Sequence, residues 1–403
     1  MSKFVPDYIQ KLIPYAPGKP IEETQREFGL KKVVKLASNE NPLGPSPKAL
    51  KAAQRAGREL HRYPDGAAFK LKQALSKELR VEPRELVIGA GSNENIDFLI
   101  RAYCRAGDRI LQPRYSFVAY RICAQIHGVE TVETPVSDVD FKVDVSQLIA
   151  AAADPSVKIL FLANPNNPTG TWLSEAEVTR LIDGVREKRG DSILIVLDYA
   201  YWEYITDSAI PDPVKLLRKY PQNVVVLRTF SKIYGLGGIR LGYSISAPEV
   251  ASVLEKVRQP FNGNSLALAA GEAALSDRAF VKKALKVNAA GLKDWTKTLQ
   301  SWGVRFIPSQ GNFLLVHAQG GWGMTGPELF QACLRKGLIL RPVANYGLPD
   351  WIRVSVGTSA ENRFALGVLK TLRPASLSKS KARSPSSSAG PSAPKKAKKR
   401  TRK

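Results

Sequence analysis

Four short apolar runs, each closed by a polar, turn-rich segment, constrain the fold of this chain more than any other feature of its sequence. They are Glu85–Gly89, Lys158–Ala163, Ser192–Leu197 and Asn223–Arg228. None alternates apolar with polar over its central residues. ILIVL and VVVL are continuous and rich in β-branched residues, as strands buried on both faces of a parallel sheet must be. Amphipathic stretches lie between them. Residues 174–188, SEAEVTRLIDGVREK, open with the Ser-x-x-Glu spacing of a helix capping box. Strands alternating with helices predict an α/β fold with a mostly parallel sheet. In such sheets ligands bind beyond the carboxyl ends of the strands. The runs are followed there by GAGSNEN, NPNNPTG, DYAY and TFSKIYGLGGIR. One such segment is a turn; four at one edge argue for a single ligand site.

The 403 residues suffice for two or three domains, and 44% hydrophobic with 24% charged residues excludes a wholly disordered chain. Cys104, Cys123 and Cys333 are widely spaced and form no CxxC; His61, His127 and His317 do not cluster. Neither a disulfide framework nor a metal site is expected. No uncharged apolar run reaches about 18 residues, and the first ten residues lack an apolar signal core. The expectation is a cytoplasmic protein without a membrane span. The net charge of +24 is unevenly spread: residues 374–403 carry ten Lys/Arg and no acid, leaving +14 on the rest. That Ser/Pro/Ala/Lys-rich tail is expected to be disordered. It reads either as a solvated tail or as a basic arm, the one route by which the chain would bind nucleic acid, although it has no aromatic residue for stacking on bases.

GAGSNEN reads as strand, turn and helix start. Gly89 and Gly91 let the backbone approach an anion, and the N–H groups of Ser92 and Asn93 open a helix whose dipole favours phosphate. The third glycine of a dinucleotide fingerprint is replaced by Glu94, which argues against a nicotinamide dehydrogenase. TFSKIYGLGGIR brings together Thr229, Ser231, Lys232 and Arg240. Two hydroxyls and a guanidinium can hold one phosphate. A lysine beside a phosphate-anchored ligand is a Schiff-base candidate. Asp198 follows five apolar residues, and a buried carboxylate calls for a cationic partner such as a pyridinium nitrogen; the alternative is a helix cap. Tyr201 and Asn167 can reach a phenolate oxygen, although NPNNPTG also reads as a plain proline turn. Tyr115, in QPRYSF, either stacks on a flat ring or belongs to the core.

SKIYGLGGIR, NPNNPTG and the Asp-x-Ala-Tyr segment resemble, in order and spacing, the fold-type I pyridoxal-phosphate aminotransferases. LASNENPLGPSP, HRYPDG, QGNFLLV and RPVANYGLPDWIRVSVGT narrow the resemblance to the histidinol-phosphate aminotransferase group, over about residues 5–372. It implies a large domain (45–270) with a mostly parallel seven-stranded sheet, and a smaller α/β domain (271–373) joined by the N-terminal segment (1–44). It implies that Lys232 carries pyridoxal phosphate and shuttles the proton, that Asp198 keeps the pyridine nitrogen protonated, and that Tyr201 and Asn167 contact the ring hydroxyl. Ser92, Asn93, Thr229, Ser231 and Arg240 would hold the cofactor phosphate, and Tyr115 would stack on the ring. Tyr63, in RYPDG, would reach the cofactor of a second subunit, which implies a homodimer. Arg353 would bind the substrate carboxylate or its counterpart, Tyr15 and Arg341 the distal phosphate, with Asn39 also in the substrate site. The implied reaction exchanges histidinol phosphate and 2-oxoglutarate for imidazole acetol phosphate and glutamate. Aromatic-amino-acid transamination and threonine-phosphate decarboxylation use similar motifs. Three positions depart from the pattern: Tyr199 stands where Glu is frequent, and Arg114 and Phe117 vary near the site. The basic tail has no counterpart.

Overall fold

The four apolar runs fold into one seven-stranded sheet. The computed structural model describes residues 4–12 and 17–375; Tyr15 and all but the first two residues of the basic tail lie outside this range. In chain order the strands are β1 (Val34–Lys35), β2 (Leu86–Gly89), β3 (Arg109–Pro113), β4 (Glu130–Thr134), β5 (Val157–Ala163), β6 (Leu194–Asp198) and β7 (Val224–Thr229). There follow β8 (Gly242–Ile245), β9 (Phe306–Ile307), β10 (Phe313–His317), β11 (Leu338–Ile339), β12 (Arg341–Pro342) and β13 (Trp351–Ser355). The large sheet has the order β2-β8-β7-β6-β5-β3-β4. Only β8 runs against its neighbours; the other pairings are parallel.

Two-sided burial explains the missing alternation in the sequence. Leu160, Leu162, Ile195, Leu197, Val224 and Val226 face one core. Their chain neighbours Ile159, Phe161, Leu194, Val196, Val225 and Leu227 face another. The strand expected from Ser192 begins instead at Leu194. Both the N–H and the hydroxyl of Ser192 donate to the Arg189 carbonyl, at 3.1 and 2.7 Å, so this residue finishes the preceding helix turn rather than starting the ladder. That helix spans Glu175–Arg189, and the capping box at Ser174 and Glu177 is present.

A second, antiparallel sheet has the order β12-β13-β10-β9, and β1 pairs in parallel with β11, so the N-terminal segment packs with the C-terminal third. Trp295, Leu314, Leu329 and Val354 share its core. Helix Arg278–Ser301 leads into this unit. Its cap Asp277 accepts the hydroxyl of Ser46 at 2.6 Å, and Ser46 caps helix Pro47–Ala56. Among the described residues no helix is long and apolar enough to cross a membrane.

Candidate active site

The carboxyl ends of β2, β5, β6 and β7 open into a cavity of about 290 Å³. One end of it is built from the segments after β2 and β7. Gly91 takes φ +86°, and helix Ser92–Tyr103 starts directly after it. A Cβ on Gly91 would collide with the Arg240 guanidinium, and one on Gly242 with the Ser92 N–H, so both close approaches require glycine. Glu94, at the position of the missing third glycine, accepts the Ala90 N–H at 2.6 Å and closes the turn. Arg240 donates to the Gly237 carbonyl at 2.9 Å. The Thr229 hydroxyl accepts the Ser231 N–H at 3.1 Å. Ser92, Asn93, Thr229, Ser231 and Arg240 all line the cavity.

The acidic end is Asp198, the last residue of β6, only 5% exposed. Burial pushes its pKa up; hydrogen bonds and the charge of Lys232 oppose the rise. Its Oδ2 accepts the Tyr120 hydroxyl at 2.6 Å and its Oδ1 the Ala200 N–H at 3.0 Å. It does not cap the helical turn Trp202–Tyr204. Sequence reasoning missed Tyr120. The one available signal was a tyrosine on the buried face of helix Val118–Ile126, where a hydroxyl needs a partner.

Lys232 also lines the cavity and is half-buried. Burial first, then the positive charges of Arg353 and Arg240, lower its amine to about 8. Its Nζ is 5.7 Å from the centre of the Tyr201 ring. Burial raises the Tyr201 phenol to about 12, which keeps its proton on. Asn39 Nδ2 donates to the Tyr201 oxygen at 2.8 Å, while the Ser355 hydroxyl engages the Asn39 N–H and Oδ1 at 2.8 and 2.9 Å. Of the asparagines in NPNNPTG, Asn164 is spent on Leu173 and Asn166 on Tyr115 and Thr169. Asn167 lines the cavity and accepts from Arg353, whose other amino group donates to the Ala37 carbonyl at 2.6 Å.

Other expected residues lie elsewhere. Tyr115 does not line the cavity. Its φ is +61°, it packs edge-on against Phe141 at 5.5 Å in a cluster with Trp351, and Arg114 covers its ring at 4.8 Å. The aromatics lining the cavity are Phe117 and Tyr201. Arg341 lines a separate cleft of about 470 Å³ with Pro17 and Phe330. It nevertheless sits directly opposite Arg353 across β12 and β13, on the same face. Tyr63 is 83% exposed, stacked on Phe261 at 4.9 Å and absent from the cavity lining. Tyr199 is fully buried against Trp202, so its departure from the family pattern is a matter of core packing. Tyr15 lies outside the described residues.

One cavity is therefore lined by hydroxyls, a guanidinium, an amine with a lowered pKa and a buried carboxylate. Comparison with known proteins accords with this arrangement. The chain is 48% identical over 365 residues to a histidinol-phosphate aminotransferase of Anaeromyxobacter sp. (strain Fw109-5), covering 91% of this chain and 98% of the relative. It is 44% identical to histidinol-phosphate aminotransferase 2 of Pseudomonas fluorescens (strain Pf0-1), covering 90% and 96%. The fold superimposes on the crystal structure of histidinol-phosphate aminotransferase from Sinorhizobium meliloti in complex with pyridoxal-5'-phosphate. There the TM-score is 0.81 and the identity 28%, over 92% of this chain and 99% of the other. Residues 31–369 match the model of the aminotransferase class I and II family. The chain belongs to the class I and II aminotransferases.

Proposed function

We propose that this chain transfers the amino group of histidinol phosphate to 2-oxoglutarate, giving imidazole acetol phosphate and glutamate, with pyridoxal phosphate held at Lys232. The observation that carries the reading is that Lys232, Asp198 and the set Ser92, Asn93, Thr229, Ser231 and Arg240 all line one cavity. The relatives' names supply the substrate.

The donor set fits the cofactor. Ser92, Asn93, Thr229, Ser231 and Arg240 would take its phosphate, Phe117 would flank its ring, and Asp198 would hold the proton of its ring nitrogen. When bound, the cofactor supplies an electron sink for the pair left as the substrate Cα–H bond breaks. The protein's own groups do the rest. Lys232 Nζ, with an amine lowered to about 8, is available as nucleophile and then as the base that takes the Cα proton. Tyr120 and the Ala200 N–H orient the Asp198 carboxylate. Tyr201, fixed by Asn39, and Asn167 offer hydrogen bonds to the ring oxygen. Arg353 takes the carboxylate of one substrate pair, and Arg341, on the same sheet face, serves the phosphate of the other.

A homodimer completes this reading. Tyr63 and Phe261 form an exposed aromatic pair, with Leu60 and Phe69 also exposed, and a second copy covering them would put Tyr63 at its partner's cofactor. The joining of the N-terminal segment (1–44) to the smaller domain is supported by the pairing of β1 with β11, whereas the expected boundary at 270 falls inside helix Ser265–Leu275. The reaction's place is taken to be the cytoplasm.

The visible spectrum of the purified protein, before and after histidinol phosphate is added without a keto acid, tests the reading. The lysine-bound cofactor band is expected, and it should convert to the pyridoxamine form. A band that ignores histidinol phosphate overturns the substrate, and aromatic amino acids and threonine phosphate are tried next. If no band forms even with added pyridoxal phosphate, the role of Lys232 is wrong.

A further inference from the structure

Behind the loops that carry Tyr201, Thr229 and Lys232 lies a second cavity, of about 860 Å³. It opens between the end of helix Phe69–Leu79, helix Pro213–Lys219 and the first turns of helix Arg278–Ser301. Its floor is unusual. Arg228, next to the last residue of β7, is 4% exposed. It bonds Glu203 at 2.7 Å and lies 5.5 Å from the Trp202 ring centre, yet its buried Nε has no hydrogen-bond partner. A guanidinium has five donors in a fixed fork, and a buried donor without an acceptor invites one.

The mouth adds positive charge. Two of its cations are paired: Arg218 with Glu85, and Arg278 with Glu78 at 2.8 Å. Arg80, Lys215 and Lys282 also line it, and among the described residues none of these three forms an ion pair with an acid. Asp212 is occupied in capping the Pro213 helix. Trp202, Tyr234, Tyr243, Leu275, Val281 and Leu285 also line it and give it aromatic and aliphatic surface. Bare phosphate would fill little of this volume. From the buried unpaired donor, the uncompensated cations and the aromatic wall, we propose that this cavity is a second, non-catalytic binding site for a small organic phosphate with a planar body. The phosphate would meet Arg228 and the rim cations, and the ring would lie against Trp202 and Tyr234.

The cavity shares no lining residue with the catalytic one. That makes the site separable by mutation. The test is equilibrium titration of the cofactor-loaded enzyme with phenyl phosphate, read by calorimetry, with inorganic phosphate in parallel. Two variants are compared with the parent: the double variant Lys215→Glu/Lys282→Glu, both exposed side chains, and Arg341→Ala on the small sheet. A second calorimetric event is expected, tighter for phenyl phosphate than for inorganic phosphate. Charge reversal at Lys215 and Lys282 should weaken it by at least about tenfold, and raised salt should weaken it too. Arg341→Ala should leave it unchanged, and transamination should survive the double charge reversal. The site is overturned if phenyl phosphate binds only in a way that Arg341→Ala abolishes, or if the double variant binds as tightly as the parent. Equal affinity for the two probes overturns the planar-body part of the assignment.

Discussion

Tyr120 reaches Asp198 from inside a helix, and deletion of its hydroxyl isolates that one contact. A hydrogen bond to a charged group contributes about 1.5–3 kcal/mol, roughly a 10- to 150-fold effect on an equilibrium. Tyr120→Phe should lower kcat in about that range while the urea midpoint stays close to the parent's, because the ring still stacks on Phe161. Lys232 gives a pH prediction. Its pKa is lowered to about 8, so the reactive neutral amine is lost as pH falls through 8 and is fully present above it. Capture of pyridoxal phosphate by the cofactor-free enzyme should therefore be flat above about pH 8.5 and fall about tenfold per unit below 7.5, measured by stopped-flow absorbance. The convergence of Lys232, Asp198 and Arg240 on one cavity was legible in the sequence because each follows an apolar run in a polar, turn-rich segment. That Phe117 rather than Tyr115 lines the cavity was not, because Tyr115 takes a left-handed φ that no spacing reveals.

Strand and helix ends do the placing. The turn before helix Ser92–Tyr103 depends on Gly91, whose φ of +86° disfavours any side chain and where a Cβ would push the Arg240 guanidinium aside. Gly91→Ala should cost at least about tenfold in cofactor affinity, read by equilibrium dialysis, with the far-UV spectrum retained. Ser174→Ala is the contrasting case: loss of this cap should reduce stability by about 1 kcal/mol in urea titration and leave turnover untouched. The capping box and the four strands were readable because each rests on a local signal. The direction of β8 was not, since GYSI reads alike whether it runs with or against its neighbours.

Across the whole molecule, the resemblance already joined the N-terminal segment to the small domain, but the pairing that joins them and the register of that domain's strands have no local signal. Nothing near Arg341 in the chain says that it will lie opposite Arg353, or that β1 will pair with β11. Tyr63→Ala should shift the sedimentation profile toward monomer or, where the dimer persists, loosen the cofactor. Either result keeps the exposed Tyr63–Phe261 pair as the subunit contact, and an unchanged dimer with unchanged cofactor affinity removes it. The Asn39–Ser355 contact spans 316 positions, and this distance also sets a schedule. Synthesis adds about 5–20 residues per second, so Asn39 leaves the ribosome long before its partner exists. By then Ser92, Asp198, Lys232 and Arg240 have all been made. The residues from Ser92 to Arg240 that line the cavity are thus all synthesised before Ser355, which steadies Asn39 and through it Tyr201, and before Arg353.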